Sequence, residues 1–407
     1  MSHHQQSFLK APKKRILQAS DSKSGTIASR VDLIVKGQGV VSFTKPEHNS
    51  FDFFLQEPTK QHGFKFIVTG KSVTLYEGIK GDWQERERKE NIIALEKDCP
   101  FWFSLDYSNK CLRFGTGEIR LETTLFSYDY TQQSAKSDPY SWVHKIQEAT
   151  FSPTQEKVVV WRDPVVVPTP LFVVSPDVIT MEDVAKGEKT VPVNLSKGCQ
   201  VLYQNVAGAK FQIDTPDFPD FSKAIQASID DENGWCAKKL KEKADEFGKP
   251  NPDETYLRIT LGKNQGDSPG VPYVMEIWPS GHYSPIHNHG NASAIIRVLH
   301  GEVNVELFRR LSMKEQKPFA QQVFQKEDIT WISPGLNQIH RLTNKNSDKV
   351  CVTIQCYMYE ESNHVHYEYF DYLGDDKIKQ FTPNSDMDFL KFKAKMKEEW
   401  GQRTTKK

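Results

Sequence analysis

The chain has 407 residues, enough for two or three domains with well-filled cores. Its 53 basic and 53 acidic residues cancel, so no net charge draws it to nucleic acid or to an anionic membrane surface. No apolar run approaches the roughly 20 residues of a membrane span. The first residues, MSHHQQSFLKAPKKRILQ, lack the apolar centre of a secretion signal. Cys99, Cys111, Cys199, Cys236, Cys351 and Cys356 fit neither a zinc C-x-x-C pair nor a small disulfide framework. Reduced, mostly buried thiols and a cytoplasmic location are the expectation.

Residues 1–29 are polar and basic and predict a disordered tail, with the His3-His4 pair inside it. From Arg30 the texture changes to short apolar and aromatic alternations such as HGFKFIVTG, SVTLYEG and PFWFSLDY, separated by Gly, Asn, Lys and Pro. Alternation at period two with frequent turn signals predicts an antiparallel β-sandwich over 30–165. The charged run WQERERKENI, residues 83–92, predicts a loop or a solvated edge. Pro168, Pro170 and Pro176 interrupt strand-like runs in 166–215, which predicts a β-rich connecting segment.

Helical spacing follows in FPDFSKAIQASIDD and GWCAKKLKEKADEFGK, with Asp217 or Asp220 placed to cap the first. About eight strand-like segments then run to Leu373 with turn signals between them, the pattern of a small barrel or jelly roll. The predicted fold is therefore mainly β: an N-terminal sandwich, then helices and a C-terminal jelly-roll domain over 216–375. Residues 376–407 predict a basic helical tail with its lysines in water.

Within the second domain, GHYSPIHNHGNASAIIRVLHG (281–301) places His287 and His289 two residues apart in a strand-like segment. Residues at that spacing on a strand project to one face, and two imidazoles on one face are half of a metal site. His340 is the candidate third ligand. Twelve histidines in this length predict about one third of a His-x-His pair by chance. The chain has a second such pair at His364 and His366, read as surface residues.

The frame around the first pair carries more information. Gly281 precedes His287 by six residues, Gly301 follows Ala294 by seven, and Pro334-Gly335 leads to His340 and then Asn344. This spacing resembles the two motifs of the cupin superfamily, whose domains are jelly-roll β-barrels. Many cupins carry a glutamate ligand where this chain has Ala294, so the resemblance implies a site of three neutral histidines. Such a set leaves a divalent metal its full charge, favours an anionic thiolate ligand, and suits Fe(2+) with open positions for O₂.

Among three-histidine cupins, residues from about 216 to 375 resemble the cysteine dioxygenase family. Tyr256-Leu257-Arg258 stands at the family's Tyr-x-Arg, and Tyr357 stands seventeen residues after His340, at the position of its active-site tyrosine. The resemblance implies that Arg258, with Tyr256 beside it, holds the substrate carboxylate, and that the Tyr357 hydroxyl faces the metal and the bound substrate. Guanidinium chemistry suits the first role, since its planar fork bonds both carboxylate oxygens.

Two positions depart from the family. Ala294 replaces the cysteine that crosslinks to the tyrosine in animal-type enzymes, and Cys356, next to Tyr357, points to the opposite sheet face. Gln355 stands where the family has a histidine, so it donates a hydrogen bond but shuttles no proton. The expected function is an iron(II) thiol dioxygenase converting cysteine, or a close carboxylate-bearing thiol, to its sulfinate with O₂. The alternatives are a dioxygenase for another substrate such as 3-mercaptopropionate, or a non-enzymatic metal-binding cupin.

In the first domain, CPFWFSLDYSNKCLRFGTGE is similar in its aromatic and glycine positions to the farnesoic acid O-methyltransferase-like domain, a β-sandwich appended to other domains. The similarity spans about 30–131 and implies no catalytic residues there. A protein or carbohydrate partner for this domain is left open, and neither nucleic acid nor membrane is expected.

Overall fold

The computed structural model describes residues 28–44, 50–91, 100–130, 138–261, 267–268, 271–359 and 370–405. The His3-His4 and His364-x-His366 pairs and Cys99 lie outside them. The chain divides into two compact units, Met1–Val167 and Pro168–Lys407.

In the first unit, one long strand, Glu148–Trp161, joins two antiparallel sheets. Its beginning pairs with Phe51–Gln56 and its end with Gln38–Thr44. Phenylalanines on alternate positions meet between the sheets, and Phe53 stacks on Phe103 at 4.0 Å. The charged run forms the strand Asp82–Glu90 at a sheet edge, with its side chains largely in water, the form in which an edge resists further pairing. The described cysteines of both units are buried and none forms a disulfide. Among the described residues no helix is long and apolar enough to cross a membrane.

The second unit is a two-sheet jelly roll with helices packed against it. One sheet runs Ile329–Ile332, Ser293–His300, Cys351–Met358, Val271–Trp278, Leu257–Thr260 and Met387–Asp388. The other runs Ala320–Gln325, Glu302–Leu307, Ile339–Thr343, His287–Asn288, Phe370–Leu373 and Ile378–Phe381. At Gly301 the chain turns from the first sheet into the second with φ +71°. A Cβ there would lie 2.5 Å from the Val350 carbonyl oxygen, so the turn requires glycine.

Two expectations about helices are corrected. Residues 166–215 are not β-rich: they hold helices Met181–Lys186 and Lys197–Val206, and strands of only two residues each, Phe172–Val173 and Lys189–Thr190. Capping explains the change. Thr180 and Asp183 form a capping box at the first helix, and the Ser196 hydroxyl accepts the Cys199 N–H at the second. The second helix then buries Cys199, Leu202, Tyr203 and Val206, spaced three and four apart, against the strands Ser293–His300 and Cys351–Met358.

The C-terminal segment is likewise more than an exposed helix. After two short strands, the helix Phe389–Thr404 buries Phe392 and Met396 completely against the helix Phe221–Asp230 and its neighbours. Glu399 accepts hydrogen bonds from the Ser228 hydroxyl at 2.7 Å and the Trp235 N–H at 3.0 Å, which fixes the docking angle. The helix Phe221–Asp230 receives its first-turn acceptor from Asp214, at 2.8 Å from the Ser222 N–H, rather than from Asp217 or Asp220.

Candidate metal centre

The three histidines predicted as ligands meet between the two sheets. Their candidate donor nitrogens all lie within 4.8 Å of one another. His287 pairs directly with His340 across adjacent antiparallel strands. His289 follows just beyond a strand that proves only two residues long, and the turn after it uses positive φ at Gly290 and Asn291. That turn is tied down by Gln338, whose amide oxygen accepts the Asn291 N–H at 2.8 Å and whose amide nitrogen donates to the Ala292 carbonyl at 2.8 Å.

The motif residues that bear no metal chemistry build the scaffold. The Gly281 N–H donates to the Asn344 carbonyl, and the Asn344 N–H donates to the His282 carbonyl, each at 2.9 Å. The Asn344 side-chain amide donates to the carbonyls of Trp278 and Lys349. These bonds clamp the approach to His287 onto the strand that carries His340. Gly335, at φ +80°, closes the tight turn from Ser333 to Leu336 that starts that strand.

The electrostatics keep all three imidazoles neutral. Burial pushes His287 down to about 4, and the charge of Arg258 acts in the same direction. Burial and the neighbouring histidines hold His289 and His340 well below the usual histidine range. His287 Nδ1 faces the Pro285 carbonyl at 2.9 Å, which places its proton there and leaves the Nε2 lone pair available. Nε2 of His289 lies 3.1 Å from Nε2 of His340. Two metal ligands at right angles and about 2.1 Å from an ion would be about 3.0 Å apart. Nδ1 of His289 is buried with no hydrogen-bond partner. A compact set of neutral nitrogen donors fits a divalent transition metal.

The same sites face a pocket lined from the opposite sheet by Tyr256, Arg258, Glu276, Gln355 and Tyr357. Arg258 is buried, and its Nη1 donates to Glu276 Oε1 at 2.5 Å. The two residues sit directly opposite each other on adjacent antiparallel strands. Glu276 beside it keeps the guanidinium charged against the pull of burial, which alone would favour the neutral form. For Glu276 itself burial pushes the carboxyl up, while Arg258 opposes. The Tyr357 hydroxyl donates to the Gln355 amide oxygen, and the Gln355 amide nitrogen donates to the other Glu276 oxygen. The result is one chain of hydrogen bonds from Tyr357 to Arg258.

Burial and the charge of Glu276 raise the Tyr357 hydroxyl well above the usual phenol range, so it is a proton donor throughout the neutral region. Its ring lies nearly parallel to that of His289, 5.6 Å away. Tyr256 stacks on Trp278 at 4.3 Å, and burial raises its hydroxyl too. Ala294 is the register partner of Tyr357, so a cysteine at that position would adjoin the phenol. Cys356 turns the other way, toward the Leu202 and Ile295 carbonyls.

Glu276 was not singled out from the sequence. The available signal was a lone carboxylate in the apolar strand VPYVMEIW, two residues from Trp278 and so on the same face.

A jelly roll with three converging histidines between its sheets is a cupin-type metal centre. Residues 253–368 match the family model of cysteine dioxygenase type I, so that segment is a cysteine dioxygenase-type cupin domain. Solved structures similar to the chain include a cupin-superfamily sugar phosphate isomerase from Silicibacter pomeroyi. It is 10% identical, with a TM-score of 0.23, over 32% of this chain and 78% of that one. A Cupin 2 conserved barrel domain protein from Salinispora arenicola is 15% identical, with a TM-score of 0.21, over 26% of this chain and 78% of that one. Oxalate oxidase in complex with glycolate is 19% identical, with a TM-score of 0.21, over 26% of this chain and 52% of that one. At these scores the barrel assignment rests on the strand pairing itself.

Proposed function

We propose that the second unit is a non-heme iron(II) thiol dioxygenase that converts cysteine, or a closely related carboxylate-bearing thiol, to its sulfinate. The overall change is RSH + O₂ → RSO₂H, in which sulfur takes both oxygen atoms and the thiol proton stays with the product acid. The observation that carries this reading is a buried pocket with three neutral histidines on one wall and Arg258 and Tyr357 on the other. The family match to residues 253–368 supports the same reaction class.

An iron ion bound by His287, His289 and His340 would supply a Lewis-acidic site with open positions for thiolate and O₂. The rest belongs to the chain's own groups. Arg258, fixed by Glu276 at 2.5 Å, is a rigid positive group for orienting a substrate carboxylate. Tyr357, protonated and tethered to Gln355, holds a hydrogen-bond donor at the cavity wall beside His289. Phe247, Trp278, Phe370 and Tyr372 line the remaining wall and keep water from the reacting atoms.

The test is O₂ uptake and sulfinate formation by the iron-loaded protein with cysteine, 3-mercaptopropionate and cysteamine. Thiol-dependent uptake with matching sulfinate is expected, and Tyr357→Phe should lower kcat by about tenfold or more while iron stays bound. Iron bound in full without thiol-dependent uptake would sink the reading.

A further inference from the structure

On the outer face of the first unit, two rows of side chains cross the antiparallel strands Phe51–Gln56, His62–Val68, Ser72–Ile79 and Asp82–Glu90. One row runs Phe54, Lys65, Tyr76 and Glu85, each residue the register partner of the next. The row beside it runs Gln56, Gly63, Gly78 and Trp83. Between them along the strands, Phe53, Leu55, Phe64 and Leu75 face the core, so both rows look outward. We propose that this face is a carbohydrate-binding platform that takes a short, neutral chain of pyranose rings. The proposal goes beyond the thiol dioxygenase reading and does not depend on it.

The aromatic rings gather on this face instead of in the core. Lys65 Nζ lies 5.8, 5.2 and 5.7 Å from the ring centroids of Phe54, Tyr76 and Trp83. All three rings are only half-buried, and Phe54 and Trp83 meet at 6.1 Å and 64°. Gly63 and Gly78 sit side by side between them. Glycine within a strand weakens it and marks a place where another group approaches the backbone closely. A Cβ at Gly78 would lie 3.3 Å from Cζ3 of Trp83, and one at Gly63 would lie 2.7 Å from Cγ of Gln56. The two glycines thus let the indole and the Gln56 side chain settle low on the sheet, and the face has a shallow floor where larger residues would raise a ridge.

The chemistry of the two rows selects the ligand. A pyranose presents a face of C–H groups, which packs on the negative face of an aromatic ring, and a rim of hydroxyls that both donate and accept. Trp83, Tyr76 and Phe54 supply the rings. For the rim, the Gln56 amide donates and accepts, the Lys65 ammonium donates and the Glu85 carboxylate accepts. Lys65 and Glu85 are one cation and one anion, so the two rows carry no net charge and hold no attraction for a polyanion. Three strand spacings of about 4.8 Å give a span of roughly 14 Å, longer than one sugar needs. The charged edge strand Asp82–Glu90 resists pairing with another chain, which leaves the sheet face as the surface open to a ligand.

The experiment is saturation-transfer NMR of the full chain with cellohexaose, chitohexaose, maltohexaose and mannohexaose, followed by calorimetry on those that respond. At least one is expected to bind with a sub-millimolar Kd. Trp83→Ala and Tyr76→Ala should each weaken that binding by about tenfold or more. Gly78→Val keeps every ring but fills the floor, and should weaken it as much. Thermal melting of each variant separates loss of the site from loss of the fold. Failure of all four sugars to bind the unaltered protein overturns the proposal, and that result stands even where a variant fails to fold. Binding that survives both Trp83→Ala and Tyr76→Ala in folded chains overturns it too, as does tighter binding of a heparin hexasaccharide than of any neutral sugar.

Discussion

The Arg258–Glu276 pair can be tested as an energetic unit. At 2.5 Å, and with an effective dielectric of about 20, the attraction is about 7 kcal/mol, from which desolvation of both groups subtracts several kcal/mol. Removing one partner forfeits the attraction but not the burial. Arg258→Met and Glu276→Leu should each destabilise the second unit by about 3–5 kcal/mol at neutral pH. The double replacement leaves no stranded charge and should cost less than about 1 kcal/mol.

The two single variants should also differ in their pH response. With Arg258 gone, Glu276 keeps the upward push of burial and escapes by taking a proton, so the cost of Arg258→Met should shrink toward pH 5. The guanidinium has no such escape, so the cost of Glu276→Leu should stay level. Amide hydrogen exchange in the strands Leu257–Thr260 and Val271–Trp278 reads the effect locally. Additive single and double effects would refute the idea of a desolvated, mutually compensating pair.

Three further outcomes follow from the structure. Burial and the nearby Asp375 raise the Glu254 carboxyl to about 7. A folded-state value above the unfolded one means that stability is fully present at low pH and falls as pH rises from about 4.5 through about 7; urea unfolding of Glu254→Gln across that window should lose this slope. Phe392→Ala, at a fully buried position of the C-terminal helix, should cost about 3–5 kcal/mol by chemical denaturation. Leu390→Ala, 77% exposed on the same helix, should cost less than about 0.5 kcal/mol. Similar costs for the two would return that helix to the status of a loose tail. His340→Ala should abolish tight iron binding, read by metal content after dialysis, while the fold is retained by circular dichroism.

The convergence of the three histidines was legible in the sequence because the motifs around them mark specific turns. His287 and His289 lie two apart at the end of a short strand, and Gly281, Gly301 and Asn344 mark turns and clamps whose backbone demands are specific. The partner of Arg258 was not legible, because it depends on register. Only the pairing of Leu257–Thr260 with Val271–Trp278 places Glu276 opposite Arg258, and a one-residue slip would send it to the other face.

The helices were misread for a related reason. Lys197–Val206 carries Val, Leu and Tyr residues that suit a strand equally well, and its helical state is set by the Ser196 cap and by the sheet surface it covers. In the C-terminal helix the lysines dominate composition, while Phe392 and Met396, four apart, supply the buried stripe. The sandwich needed no such tertiary information, since Phe51 and Phe53 flank Asp52, and Phe64 and Phe66 flank Lys65, along their own strands.

The central claim is that this cavity adds both atoms of O₂ to a thiol sulfur. The most direct measurement supplies isotopically labelled O₂ to the iron-loaded protein with cysteine and weighs the product by mass spectrometry. The account predicts sulfinate carrying label at both oxygens, formed in step with O₂ consumed and absent from His340→Ala. Unlabelled or singly labelled sulfinate, or disulfide as the sole product, would contradict it.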